Sequence, residues 1–293
     1  RNHGLPDQPF LLFHISEAVR TSGSGVLAFA GVLFAVGADE KELPLPDGAE
    51  IIGKNTYVLY DYQVTSQGVT NDGKYFYFSG NQNLGKADME KGEIFLINTD
   101  PIPDELKEKG CNHIGGLSYY NGYIYAAVED GPDYLNSFIV LYNADTLEFS
   151  GTYYELPHSL HIEGVPWCAV DTERNYLYTA EWSNATVLNV FSLEDMQLVK
   201  TVPLSETIDR IQGAEMFDGK LYMSCDELND MKRIFTLDVE SGKVEECFKR
   251  NIGKGFEAEG ITVFADENGK PVICVLDRGE RRKSSNLTFY TIK

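Results

Sequence analysis

A glycine followed by an apolar residue recurs five times at near-constant spacing: Gly68-Val69, Gly116-Leu117, Gly164-Val165, Gly213-Ala214 and Gly260-Ile261. The successive gaps are 48, 48, 49 and 47 residues. Such a period confines the chain to a repeat architecture, in which each unit buries its apolar face against its neighbours. After each glycine comes a short apolar stretch and then a turn: "NDGK" at 71, "NGY" at 121, "ERN" at 173, "DGK" at 218 and "NGK" at 268. Asp-Gly and Asn-Gly between apolar runs are strong hairpin signals.

A second strand follows each turn ("YFYFSG", "YIYAAVE", "YLYTAEW", "LYMSCDE", "PVICVLD"), and then a third ("EIFLINT", "FIVLYNA", "TVLNVFS", "RIFTLDV", "LTFYTIK"). "LEFSGTYYEL", "MQLVKTVPL" and "KVEECF" read as fourth strands in the middle repeats. Four antiparallel strands in under fifty residues make one propeller blade. The reading is an all-β, five-bladed β-propeller, with six blades the alternative. The last repeat ends after its third strand, and "NTYVLYDYQV" (55–64) is a strand without a blade. Lending it to the last blade closes the ring and protects an edge. In the first repeat "PIPDELKEKG" (101–110) makes a poor fourth strand, since it carries prolines and charges.

The formal net charge of −20 argues against a nucleic-acid partner, which requires a basic face. Five cysteines, none in a CxxC pair, form no disulfide or zinc framework. Residues 25–38, "GVLAFAGVLFAVGA", end in the small-residue pattern Val36-Gly37-Ala38 ahead of the acidic "DEKE". This is the shape of a signal-peptide core and cleavage site, too short for a stable span. The expected organisation is an export region over 1–38 with an over-long start, a linker over 39–54 and a propeller over 55–293. The mature protein is then an extracytoplasmic (secreted or periplasmic) monomer.

Antiparallel strands place the start of each innermost strand and the end of each second strand on one face of the ring, at the channel mouth. One residue before the glycines stand Gln67, Gly115, Glu163, Gln212 and Glu259; three before stand Thr65, His113, His161, Arg210 and Glu257. The second strands end in Asn81-Gln82-Asn83, Glu129-Asp130, Glu181-Trp182, Asp226-Glu227 and Asp277-Arg278. Two polar rows therefore converge where propellers hold ligands. His161, His113 and Glu163 are the candidate catalytic groups, with a histidine as general base. Gln67, Arg210 and Gln212 are candidate ligand contacts, with Glu129, Glu181, Trp182, Asp226 and Asp277 as the rim. Glu163, Glu257 and Glu259 are a candidate Ca²⁺ set; the two histidines with nearby carboxylates are the weaker transition-metal alternative. "RGERRK" (278–283) reads as an exposed, solvated loop.

The units "SQGVTNDGKYFYFSG", "QGAEMFDGKLYMS" and "LDVESGKV" resemble the five-bladed propellers of the glutaminyl cyclotransferase type. The glutamate those enzymes carry in the second strand of their first blade would fall near Phe78, so the resemblance implies their fold and disfavours their reaction. "HIGGLSYYNGYIYAAVED" and "HIEGVPWCAV…YLYTAEWS" look more like a group of bacterial extracytoplasmic propellers whose blades open on His-x-Gly-Gly. That likeness implies a fold and a location. The function expected is binding of a small polar ligand or cation at the mouth. The alternative is cation-dependent hydrolysis of an ester, lactone or phosphoester.

Overall fold

A computed structural model describes residues 51–227, 231–279 and 283–292, with the backbone of Val19–Arg20 and Val26–Ala28. The expected export segment otherwise lies outside the described residues. Val26–Ala28 pairs with Val19–Arg20 and, through Val26 and Leu27, with the outer strand of the first blade.

Five four-stranded antiparallel blades form the ring. From the axis outward the first comprises Val69–Asn71, Tyr75–Gly80, Asn83–Asp88 and Glu93–Asn98. The second comprises His113–Tyr120, Tyr123–Glu129, Ser137–Asn143 and Phe149–Glu155. The third comprises Ala169–Asp171, Tyr176–Thr179, Ala185–Ser192 and Leu198–Ile208. The fourth comprises Ile211–Phe217, Lys220–Cys225, Met231–Leu237 and Val244–Asn251. The fifth comprises Phe256–Ala265, Pro271–Gly279 and Ser285–Ile292, and its outer strand is Ile51–Leu59. Tyr57 pairs with Leu287 and Leu59 with Ser285, so the strand that precedes the first blade completes the last. The closing strand starts at Ile51, inside the stretch read as linker.

The first blade departs from the sequence reading. Its third strand is Asn83–Asp88, "NLGKAD", and "EIFLIN" is the fourth. Glycine and two charges hide that strand in the sequence. Lys86 is nonetheless buried: its Nζ donates to the Ala144 carbonyl at 2.9 Å and lies 4.4 Å from the centroid of the Tyr75 ring. The segment after the fourth strand contains one helical turn, Asp104–Glu108, with Leu106 buried beneath it.

The recurring glycines sit where innermost strands crowd the axis. A side chain on Gly68 would put its first carbon 3.0 Å from Cα of Gly116; on Gly213, 2.8 Å from Cα of Gly260; on Gly260, 2.8 Å from Cα of Gly68. Only a residue without Cβ permits that approach. The third blade breaks the pattern. The neighbour of Gly116 is Trp167, whose Cα would lie 3.1 Å from a carbon added to Gly116. The hydrogen bonds agree. Gly260 N–H donates to the carbonyl of Gln67, just before Gly68, and Gly116 N–H to that of Pro166, just before Trp167. Trp167, fully buried, is the structural counterpart of the glycines. Gly164 is displaced from that place by three residues.

All five blades meet in one polar network on the axis. Glu215 of the fourth blade accepts from Thr70 Oγ1 (2.9 Å), Thr262 Oγ1 (3.1 Å) and Ser118 Oγ (3.4 Å). Each hydroxyl in turn accepts an N–H, from Tyr119, Asn71 Nδ2 and Val170 respectively. Those bonds aim the hydroxyl protons at Glu215. Burial outweighs them and pushes its carboxyl up to about 8.

Candidate functional site at the channel mouth

The blades are latched at one end by a recurring contact. At four of the five axial positions the residue two before donates its backbone N–H to the end of the preceding blade's second strand; at the first, Ser66 donates to Ser79 of its own blade. Ile114 donates to the Asn81 carbonyl, Ile211 to the Trp182 carbonyl, Val165 to Glu129 Oε2 at 2.6 Å and Ala258 to Asp226 Oδ1 at 2.9 Å. Two of the carboxylates read as rim groups therefore hold the ring together.

This end opens on a cavity of about 180 Å³ lined by Gln67, Asn81, His113, Glu129, Tyr134, Glu163, Pro166, Trp182, Gln212, Glu257, Glu259 and Arg278. Every blade contributes. On one wall His113 Nδ1 lies 2.9 Å from Glu129 Oε1 and its Nε2 3.0 Å from Gln67 Oε1. Glu129 accepts from the imidazole on one oxygen and from Val165 on the other, which fixes the ring's orientation. Gly164 makes room for this carboxylate. Its φ is +84°, and a side chain there would put a carbon 2.1 Å from Glu129 Oε2.

On the opposite wall Arg278 faces two glutamates. Its Nη2 pairs with Glu257 Oε2, and its Nε lies 3.2 Å from Glu259 Oε1. Gln212 Nε2 donates to Glu257 Oε1 at 3.4 Å. Glu259 is 1% exposed, and the approach of Arg278 to its Oε1 is an ion pair without hydrogen-bond geometry. Burial, then Asp226 and Asp277, push its carboxyl well above the usual range, with Arg210 pulling the other way. Arg210 stands behind this wall. Its guanidinium lies 4.4 Å from the Trp182 ring centroid, 2.7 Å from Asp226 Oδ2 and 3.6 Å from Glu257 Oε1.

Of the expected groups, Gln67, His113, Glu129, Glu163, Trp182, Gln212, Glu257 and Glu259 line the cavity. His161 does not. It follows the short helix His158–Leu160, fully buried, with Nε2 2.8 Å from Thr179 Oγ1, Nδ1 3.1 Å from the Pro157 carbonyl and its ring against Phe191. Burial lowers its pKa to about 4, which makes it a neutral core histidine. The cause is the three-residue displacement: counted from Trp167, position −3 is Gly164. Glu163 reaches the mouth from a turn, where Ser183 Oγ donates to it. Glu181 accepts from the backbone N–H groups of Ile162 and Glu163 at 2.9 and 3.3 Å, shaping that turn. Asp226 is buried, held also by Lys232 at 2.6 Å. Asp277 lies beneath the rim, paired with buried Arg250 of the fourth blade at 2.6 Å.

The residues do not fit a resident Ca²⁺. Arg278 already sits against Glu257 and Glu259, and Glu163 faces Ser183 from another blade. Among the described residues no three of His, Cys, Asp and Glu converge as metal donors. Arg278, part of the basic run read as a solvated loop, is in a strand and lines the cavity. Tyr134 was missed. It lies between the second and third strands of its blade with φ +52°, and no repeat marks it.

No protein-family model matches the chain, and no curated protein matches it in sequence. Among solved structures it is similar to a DUF4623 family protein from Bacteroides eggerthii, at 11% identity and a TM-score of 0.44, over 95% of this chain and 85% of that one. It is similar to hydrazine synthase of Kuenenia stuttgartiensis at 12% identity and TM-score 0.43, over 74% and 57% of the two chains. For apo AztD from Citrobacter koseri the figures are 19% and 0.35, over 64% and 46%. The chain thus spans roughly half the length of the last two.

Proposed function

We propose that this chain is an extracytoplasmic binding protein of the His-x-Gly-Gly propeller kind, holding one small polar molecule at the mouth of its channel. The observation that carries the reading is that all five blades send polar side chains into a single cavity of about 180 Å³. Structural latching alone requires one carboxylate or carbonyl per blade, whereas Gln67, His113, Gln212 and Glu259 lie beyond that need. The apolar segment at 25–38 supports export. Isothermal titration of the full chain against a panel of small polar compounds tests the reading. Saturable one-to-one binding that is lost in Gln212→Ala and His113→Ala supports it, and binding untouched by both overturns it.

A second reading rests on the His113–Glu129 pair. A carboxylate fixes one imidazole nitrogen and leaves the other beside Gln67 in the cavity, which is how a general base is oriented. Hydrolysis of an ester, lactone or phosphoester by water activated at His113 Nε2 requires that water to displace Gln67, which holds this nitrogen at 3.0 Å. Turnover on an esterase, lactonase and phosphatase panel, abolished in His113→Ala with binding retained in Glu163→Gln, would favour it over binding alone.

A further inference from the structure

The chemistry of the lining narrows what the mouth takes. Its carboxylates already have partners within the protein: Glu129 the His113 imidazole, Glu257 and Glu259 the single Arg278 guanidinium, and Glu163 the Ser183 hydroxyl. An anionic ligand would meet these carboxylates head-on, and a cationic one would compete with Arg278 for Glu257 and Glu259 and leave a half-buried charge behind, which is costly. A neutral ligand that both donates and accepts can bind without breaking a pair. The side-chain amides of Gln67, Asn81 and Gln212 offer both functions.

Glu259 adds the sharpest constraint. It is 1% exposed and lines the cavity, and its Oε1 meets only Arg278 Nε at 3.2 Å, an ion pair without hydrogen-bond geometry. A carboxyl group with one ion-pair contact and no aligned hydrogen bond on that oxygen keeps capacity to bond a ligand hydroxyl beside it. Trp182 and Tyr134 supply flat apolar surface among these polar groups, and Arg210 buttresses the indole from behind. Flat apolar faces edged by hydroxyls match such a lining. The size agrees, since about 180 Å³ is below the range of about 300–1,000 Å³ that holds drug-sized molecules.

We propose that the ligand is a neutral, ring-shaped polyhydroxy compound of monosaccharide size, lying against Trp182 with a hydroxyl directed at Glu259. This rests on the reading that the mouth is a ligand site. The test is titration calorimetry of the full chain with glucose, galactose, mannose and myo-inositol, beside glucosamine and glucuronate as cationic and anionic counterparts of similar size. The expected result is saturable binding of at least one neutral ring, weakened at least tenfold in Trp182→Ala and in Glu259→Ala. Gln212→Ala, at the surface of the same wall, must also weaken it and guards against loss through misfolding. Preference for aldohexoses over inositol, or the reverse, tells sugar from cyclitol. Binding of glucosamine or glucuronate alone, still lost in Trp182→Ala, overturns the neutral-polyol assignment and leaves the mouth site standing. Failure of every compound here and in the wider polar panel overturns both.

Discussion

Val165 donates its backbone N–H to Glu129 Oε2 at 2.6 Å, so the carboxylate that orients His113 also ties the second blade to the third. Glu129→Ala is expected to lose both roles. With a buried N–H left without an acceptor, stability should fall by about 1–3 kcal/mol, read from denaturant midpoints at unchanged slope. Glu129→Gln keeps an oxygen for Val165 but not the charge beside His113. It should recover most of the stability while ligand binding stays weakened.

Gly164 tests the same contact from its other side. Its φ of +84° and the 2.1 Å approach of any added carbon to Glu129 Oε2 leave no room for a side chain. Gly164→Ala should destabilise by at least ~1 kcal/mol and weaken binding together with stability. A variant as stable as the parent would show that this turn does not depend on glycine.

The pH profile of stability should carry two contributions of opposite sign. His161 has its folded pKa lowered from 6.5 to about 4 by burial. Its contribution is present above 6.5 and is lost as pH falls through 4, amounting to ~3 kcal/mol. Glu215 has the opposite sign. Its folded pKa is raised from 4.5 to about 8, so its contribution is full below 4.5 and is lost as pH rises through 8. The two offset each other between pH 4.5 and 6.5. Thermal unfolding followed from pH 4 to 9 should therefore show a nearly level stretch there and a net loss from 6.5 to 8 in the parent, the acid limb emerging once Glu215 is replaced. Glu215→Gln should flatten the alkaline limb and His161→Asn the acid one. An unchanged alkaline slope in Glu215→Gln would contradict the axial network.

Arg250 and Asp277 form a buried pair between the fourth and fifth blades at 2.6 Å. Asp277→Ala leaves the guanidinium buried without its partner and should cost about 3–5 kcal/mol, read by chemical denaturation. Ligand affinity should change little, because neither residue lines the mouth.

Most of the architecture is legible in the chain because the axial crowding that demands glycine is a covalent fact repeated at four of five blades. Asn121-Gly122 and Asp218-Gly219 likewise take the paired positive φ values that their hairpins require. The third blade misleads for a physical reason. Gly164 serves the approach of Glu129, and the axial place belongs to Trp167, so counting from the glycine moved His161 out of the core and into the mouth on paper. Glu163 reached the mouth regardless, from a turn. The third strand of the first blade stayed hidden because Lys86 is buried through a carbonyl and two tyrosine rings that lie far away in sequence or beside it on the sheet. The ends of the second strands were placed on the correct face, but their partners were not readable. Lys232 for Asp226 and Arg250 for Asp277 come from other strands.

The chain's two tryptophans give a direct reading of whether the ligand enters the mouth. Trp182 is half-buried and lines the cavity, whereas Trp167 is fully buried at the axis. Intrinsic fluorescence titrated with the ligand that calorimetry identifies should shift saturably in the parent and in Trp167→Phe. The shift should vanish in Trp182→Phe. A shift that persists in Trp182→Phe and disappears in Trp167→Phe would place the ligand away from the mouth.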